Sequence, residues 1–123
     1  MPDKPRILLV DDSLTILNLL SLALKQQGYE VITARDGLEA LEKGQRQPVS
    51  LIITDLNMPR LDGLAFIARW RNREGSRRTP IIMLSTESQK HDRRAGLKQG
   101  ADLYLVKPVT SAQLAEAVRS LLS

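Results

Sequence analysis

Four short apolar runs punctuate the chain: Ile7-Leu8-Leu9-Val10, Leu51-Ile52-Ile53, Ile81-Ile82-Met83-Leu84 and Leu103-Tyr104-Leu105-Val106. Each is continuous rather than alternating, which predicts strands covered on both faces in a parallel sheet. A fifth segment, Glu30-Val31-Ile32-Thr33-Ala34, is more amphipathic and predicts an edge strand. Helical spacing fills the gaps. Leu14, Leu17, Leu20 and Leu24 recur every three or four residues, and Gly28 supplies the stop. Asp36 is placed to cap a helix with Leu38, Ala40 and Leu41 facing inward. Leu64, Ile67 and Ala68 mark a third helix. Thr110 and Gln113 form a capping box ahead of Leu114, Val118 and Leu121. Residues 89 to 99 are poorer in apolar side chains, so their helix should be the least firmly docked of the five.

Five alternations of strand and helix call for right-handed crossovers and an α/β doubly wound sheet of five parallel strands with five helices. Ligands of such sheets bind beyond the carboxyl ends of the strands, where strand order reverses. The length of 123 residues suits one domain, so residues 1-123 are read as a single unit. No apolar run approaches the roughly 20 residues that span a bilayer. The polar residues Met1 to Arg6 lack the apolar stretch of a signal peptide, and there is no cysteine, so a cytoplasmic protein with no membrane association is expected.

The net charge of +4 is local in origin. Residues 69 to 98 carry nine basic against three acidic side chains, net +6, and the remainder carries nine against eleven, net −2. A basic face can hold phosphates, but with aromatic residues at 3% and no nucleic-acid motif, no nucleic-acid partner is expected.

Chemistry gathers at the strand ends: Asp11 and Asp12 after the first, Asp55 at the third, Ser85 at the fourth, and Lys107-Pro108 after the fifth. Helix capping by Asp11 or Asp12 would explain one carboxylate, not three. Converging carboxylates repel unless a cation joins them or their pKa values rise. With only oxygen donors at hand, Mg2+, or else Mn2+, fits better than zinc. A hydroxyl, an ammonium group and a divalent cation are suited to hold the oxygens of a phosphoryl group in transfer. That makes Asp55 a candidate nucleophile.

The segments Leu9-Val10-Asp11-Asp12-Ser13, Asp55-Leu56-Asn57-Met58-Pro59 with Asp62-Gly63, Ser85-Thr86 and Lys107-Pro108 together resemble the receiver domains of two-component response regulators. The resemblance covers essentially the whole chain and is narrowest to the stand-alone chemotaxis (CheY-like) type. It implies a flavodoxin-like sheet of order 2-1-3-4-5. It implies that Asp55 is the phosphoacceptor for a histidine kinase, served by Ser85 and Lys107. The metal ligands would be Asp12, Asp55 and the backbone carbonyl of Asn57, with Asp11 acting mainly through water. Ser85 and Tyr104 would form the switch, Asn57 and Glu87 would tune phosphoryl lifetime, and the peptide before Pro108 would be cis. Thr86 would crowd the inward position of Tyr104.

Lys90, Arg94 and Lys98, at four-residue spacing with Arg93 adjacent, mark a basic helix face. It is either simply solvated or the dock, near Tyr104, for an acidic downstream protein. Trp70, Met58 and Pro59 read as structural, and His91 as a solvated histidine. Gly37, Gly63 and Gly100 read as turn or cap residues. The expected protein is a monomeric phosphorylation switch without an attached output domain, catalysing no more than its own phosphoryl transfer and dephosphorylation. One alternative is a receiver-like binding module independent of phosphorylation. A phosphohydrolase of the haloacid dehalogenase type is disfavoured, because Asn57 stands where its second aspartate would be.

Overall fold

The computed structural model describes residues 4–75, 78–86 and 90–123, apart from the side chains of Lys90 and His91. Five strands alternate with five helices: β1 (Arg6–Val10), α1 (Leu14–Gln26), β2 (Glu30–Ala34), α2 (Gly37–Arg46), β3 (Leu51–Asp55), α3 (Gly63–Glu74), β4 (Ile81–Ser85), α4 (Lys90–Gln99), β5 (Leu103–Val106) and α5 (Ser111–Leu122). All strand pairs are parallel, and the sheet order is β2-β1-β3-β4-β5. The flavodoxin-like architecture implied by the sequence is therefore present.

The sheet divides two cores. Ile7, Leu9, Ile53, Ile82 and Leu84 point to α1 and α5. Leu8, Ile52, Ile81 and Met83 point to the side holding Leu41, Phe66, Ile67 and Tyr104. The central strands are buried on both faces, which is why their sequences do not alternate. Removing one such aliphatic side chain from water is worth roughly 1.5–3 kcal/mol.

Several helix and strand expectations need correction. β5 is the second edge strand rather than a doubly covered one, and Val106 is 45% exposed. In α2 and α3 the buried stripe runs through residues 37, 40, 41 and 63, 66, 67, so Leu38 and Ala68 face solvent. The shift arises because Gly37 and Gly63 lie in close contact with neighbouring backbone, which leads the buried stripe with a residue that has no apolar side chain. Leu14, the first residue of α1, is also exposed. The start of α1 is capped by Ser13, whose Oγ accepts from Ile16 N, rather than by Asp11 or Asp12. The caps read at Asp36 and at Thr110 with Gln113 are both present. Trp70 packs at 6.1 Å from Phe66 and lies over Gly44, where even a Cβ would meet the indole at 2.3 Å.

Candidate functional site

The parallel sheet brings the carboxyl ends of β1, β3, β4 and β5 to one edge, and the three aspartates meet there. Asp11, Asp12 and Asp55 each offer a carboxylate oxygen, all within 4.8 Å of one another. Asp11 and Asp55 are buried and Asp12 is exposed, so the cluster opens to solvent through Asp12. Asp11 Oδ1 accepts from Ser13 N (2.9 Å), and Asp55 Oδ1 accepts from Leu56 N (2.9 Å). These bonds fix both carboxylates to backbone.

Lys107 reaches in from the end of β5. Its Nζ lies 2.9 Å from Asp11 Oδ2, a partner 96 positions away in sequence, and 3.2 Å from Asp55 Oδ1, so it bridges the two carboxylates. Its backbone N–H donates to Ser85 O (2.7 Å), and the Lys107–Pro108 peptide is cis. Burial pushes the Asp55 carboxyl above its ordinary pKa. The Lys107 charge opposes that shift and the Asp11 charge adds to it. Burial pulls the Lys107 ammonium down, but the bond to Asp11 and the charges of Asp55 and Asp11 outweigh it, leaving the pKa raised. The site thus holds two buried carboxylates with one ammonium, an excess of negative charge that a cation would complete. An all-oxygen donor set with one side open to water fits a hard divalent ion such as Mg2+ that keeps part of its hydration.

Ser85 ends β4 with its side chain fully buried, one residue beyond the register partner of Asp55. Asn57 is exposed in the loop after β3. Tyr104 is buried, and a Cβ on Gly96 would sit 3.3 Å from its ring. Thr86 is exposed and lines, with Lys107, Pro108 and Ile16, a cavity of about 350 Å³. Glu87 lies outside the described residues, as do the side chains of Lys90 and His91. Arg93, Arg94 and Lys98 are exposed on α4. Other members of the basic stretch are neutralised elsewhere: Arg71 pairs with Glu74 and Asp102, and Arg78 with Asp102.

Sequence reasoning did not find the contacts around the turn between β2 and α2. Arg35 Nη2 donates to the carbonyl of Asp12 (3.0 Å), and Arg60 donates twice to Asp36 Oδ2. No local pattern marks either arginine, since both partners are remote in sequence.

Residues 7–119 match the response regulator receiver domain, and the chain belongs to that family. It is 42% identical over 119 residues to the transcriptional regulatory protein PrrA of Mycobacterium tuberculosis, covering 97% of this chain and 50% of PrrA. It is 37% identical over 118 residues to the protein PilG of Pseudomonas aeruginosa, covering 96% of this chain and 87% of PilG. The chain spans about half the length of the PrrA relatives. Among solved structures, the chemotaxis response regulator CheY4 of Vibrio cholerae superposes with a TM-score of 0.91 at 39% identity, covering 97% of this chain and 99% of that one. Receiver domains are signalling modules of two-component systems, generally without enzymatic activity of their own. They bind Mg2+ at an acidic pocket and interact with histidine kinases and downstream targets. Among the described residues, no helix is long and apolar enough to cross a membrane.

Proposed function

We propose that residues 1-123 form one receiver domain that takes a phosphoryl group on Asp55 from the phosphohistidine of a histidine kinase and thereby changes its affinity for a partner protein. The observation that carries this reading is the convergence of Asp11, Asp12 and Asp55 within 4.8 Å, with Lys107 Nζ bridging Asp11 and Asp55. An Asp55 carboxylate oxygen forms the new bond to phosphorus while the phosphorus–nitrogen bond breaks. The electron pair leaves on the imidazole, which takes a proton from water. Lys107, already on Asp55 Oδ1, holds a transferred phosphoryl oxygen, and the Ser85 hydroxyl holds another. Asp11, Asp12, Asp55 and the Asn57 carbonyl would hold Mg2+ or Mn2+, which neutralises the carboxylates and the phosphoryl oxygens. In the reverse direction water attacks phosphorus, the bond to Asp55 breaks and phosphate departs, at a rate tuned by Asn57 and Glu87.

The transferred group adds about −1.5 to −2 of charge and strong acceptor oxygens. Ser85 moves toward them, and the buried Tyr104 ring follows. The output surface lies near Lys90, Arg94, Lys98 and Tyr104, and its partner is acidic. On this reading the domain acts as a cytoplasmic monomer without nucleic-acid contact of its own.

Incubation with acetyl phosphate and Mg2+, or with a cognate kinase, should add one phosphoryl mass. That gain should vanish in EDTA and in Asp55→Asn. No mass gain from either donor while Mg2+ is bound would overturn the reading and favour a phosphorylation-independent binding module. A second reading, that these residues are the receiver half of a transcriptional regulator, is favoured by the 50% coverage of PrrA. The mass of the polypeptide in its source cell decides between them.

A further inference from the structure

Two guanidinium groups tie the turn between β2 and α2 to both loops that carry the acidic cluster. On one side, Arg35 Nη2 donates to the carbonyl of Asp12 at 3.0 Å. On the other, Arg60 donates through Nε (2.8 Å) and Nη2 (2.6 Å) to Asp36 Oδ2, and Gly37 N donates to Leu61 O (3.1 Å). Asp36 is buried, and its second oxygen caps α2 by accepting from Glu39 N (2.9 Å). It therefore offers Arg60 a fixed anchor. Arg60 has φ 65°, making it the one non-glycine residue at positive φ among the described residues. Side chains with a Cβ disfavour that conformation, so the loop after β3 is held in shape against the preference of the residue that makes the bend.

We propose that Arg35 and Arg60, the latter through Asp36, are positioning residues that set the gap between the Asp12 loop and the Asn57–Leu61 loop, and with it the affinity of the acidic cluster for a divalent cation. The inference rests on the metal reading given above. Because Asp36 neutralises Arg60, that arginine acts through geometry rather than charge. Arg35 binds a carbonyl, so its own charge opposes a nearby cation while its hydrogen bond fixes the loop that Asp12 occupies. Outer-shell partners of metal ligands commonly govern affinity by about 10–100-fold.

Calorimetric titration of the full chain with MgCl2 tests this. Arg60→Gly and Arg60→Asn both suit positive φ and lack the guanidinium. They should melt in EDTA within about 3 °C of the unsubstituted protein, or above it, yet bind Mg2+ about tenfold more weakly. A merely structural arginine would not separate those two readouts. Asp36→Asn, which still caps α2, should weaken Mg2+ to the same degree, and combining it with Arg60→Asn should add nothing further. Arg35→Gln should also weaken binding, whereas tighter binding would show that its charge outweighs its hydrogen bond and overturn its part. If an Arg60 variant fails to fold, Arg60→Lys, which keeps the charge but loses the two-point fork, provides the same comparison. Dissociation constants within about twofold of the unsubstituted protein in the folded Arg60 variants would overturn the inference alone. No Mg2+ binding by the unsubstituted protein would overturn the metal reading and this inference with it.

Discussion

Gly63 shows how tightly single residues set the site. A Cβ there would fall 2.3 Å from Asp55 O and 3.0 Å from Leu56 Cα, both backbone atoms that move only if the site moves. Gly63→Ala should therefore destabilise the protein by about 1–3 kcal/mol, as overpacking does, and slow phosphoryl uptake from acetyl phosphate. Thermal unfolding and intact-mass kinetics check both, and an unchanged uptake rate would show that the Asp55 carbonyl can shift without harm. Glu74 gives a pH-dependent counterpart remote from the site. Burial alone would raise its pKa, but the Arg71 hydrogen bond (2.7 Å), Thr79 N–H (2.8 Å) and the Arg71 charge outweigh it and hold the carboxyl below its ordinary value of 4.5. A depressed folded-state pKa contributes stability that is present above the unfolded value and is lost as pH falls through the folded one. Glu74→Gln should thus lower stability by about 1–2 kcal/mol at pH 7, with the gap closing as pH falls below about 4. Urea unfolding at the two pH values tests this, and a gap that is constant with pH would contradict it.

At the scale of elements, α4 is held differently from its neighbours. Of its residues with a described burial only Gly96, which has no side chain, is buried, over Met83 and Tyr104, while Leu97 is 42% exposed. Its carboxyl end is instead fixed by polar contacts: Arg71 donates to Gly100 O through Nε (3.2 Å) and Nη2 (2.6 Å), and Asp102 accepts from Ile81 N (2.8 Å). Amide hydrogen exchange should accordingly find α4 less protected than α3 and α5, since little apolar burial opposes its opening. Equal protection across the three helices would refute that. The low apolar content behind this behaviour was legible in residues 89 to 99, as were the strands and the caps at Asp36 and Thr110, because each is a pattern within a few residues. The exposure of Val106 was not, because β5 becomes an edge only through sheet order. The buried stripe of α3 was misplaced by one residue, and that of α2 was right at Ala40 and Leu41 but started at Leu38 instead of Gly37, because Gly37 and Gly63 carry no apolar side chain to mark the pattern. The Arg71–Asp102 and Arg60–Asp36 pairs join residues 31 and 24 positions apart, and their identities alone suggest no pairing. The acidic cluster lies between these cases. Its members are distant in sequence, but a parallel sheet delivers every strand's carboxyl end to one edge, so their convergence followed from the alternation of elements.

Across the whole molecule, that edge adjoins a surface formed by α4, β5 and α5, and the charge distribution there differs from what residues 69 to 98 suggest as a block. Arg71 and Arg78 are paired with carboxylates near the amino ends of β4 and β5, while on α4 Arg93, Arg94 and Lys98 have no ion pair among the described residues. Leu97 and Val106 are large apolar side chains exposed on the same three elements. A patch of this composition suits an acidic amphipathic segment, with apolar contacts supplying affinity and the cations steering encounter. With the protein held in the beryllofluoride state, the paired substitutions Arg94→Glu and Lys98→Glu should slow association with the output partner about tenfold at low salt. The difference should narrow as ionic strength approaches about 0.5 M, where screening shortens to a few ångströms. Phosphoryl uptake should be unchanged, since neither side chain belongs to the Asp11, Asp12, Asp55 and Lys107 constellation. Association rates equal to the unsubstituted protein at every salt concentration would show that the basic face of α4 is only solvated. A parallel loss of phosphoryl uptake would instead mean that the substitutions disturb the site through Tyr104 and β4, which lie directly beneath the helix.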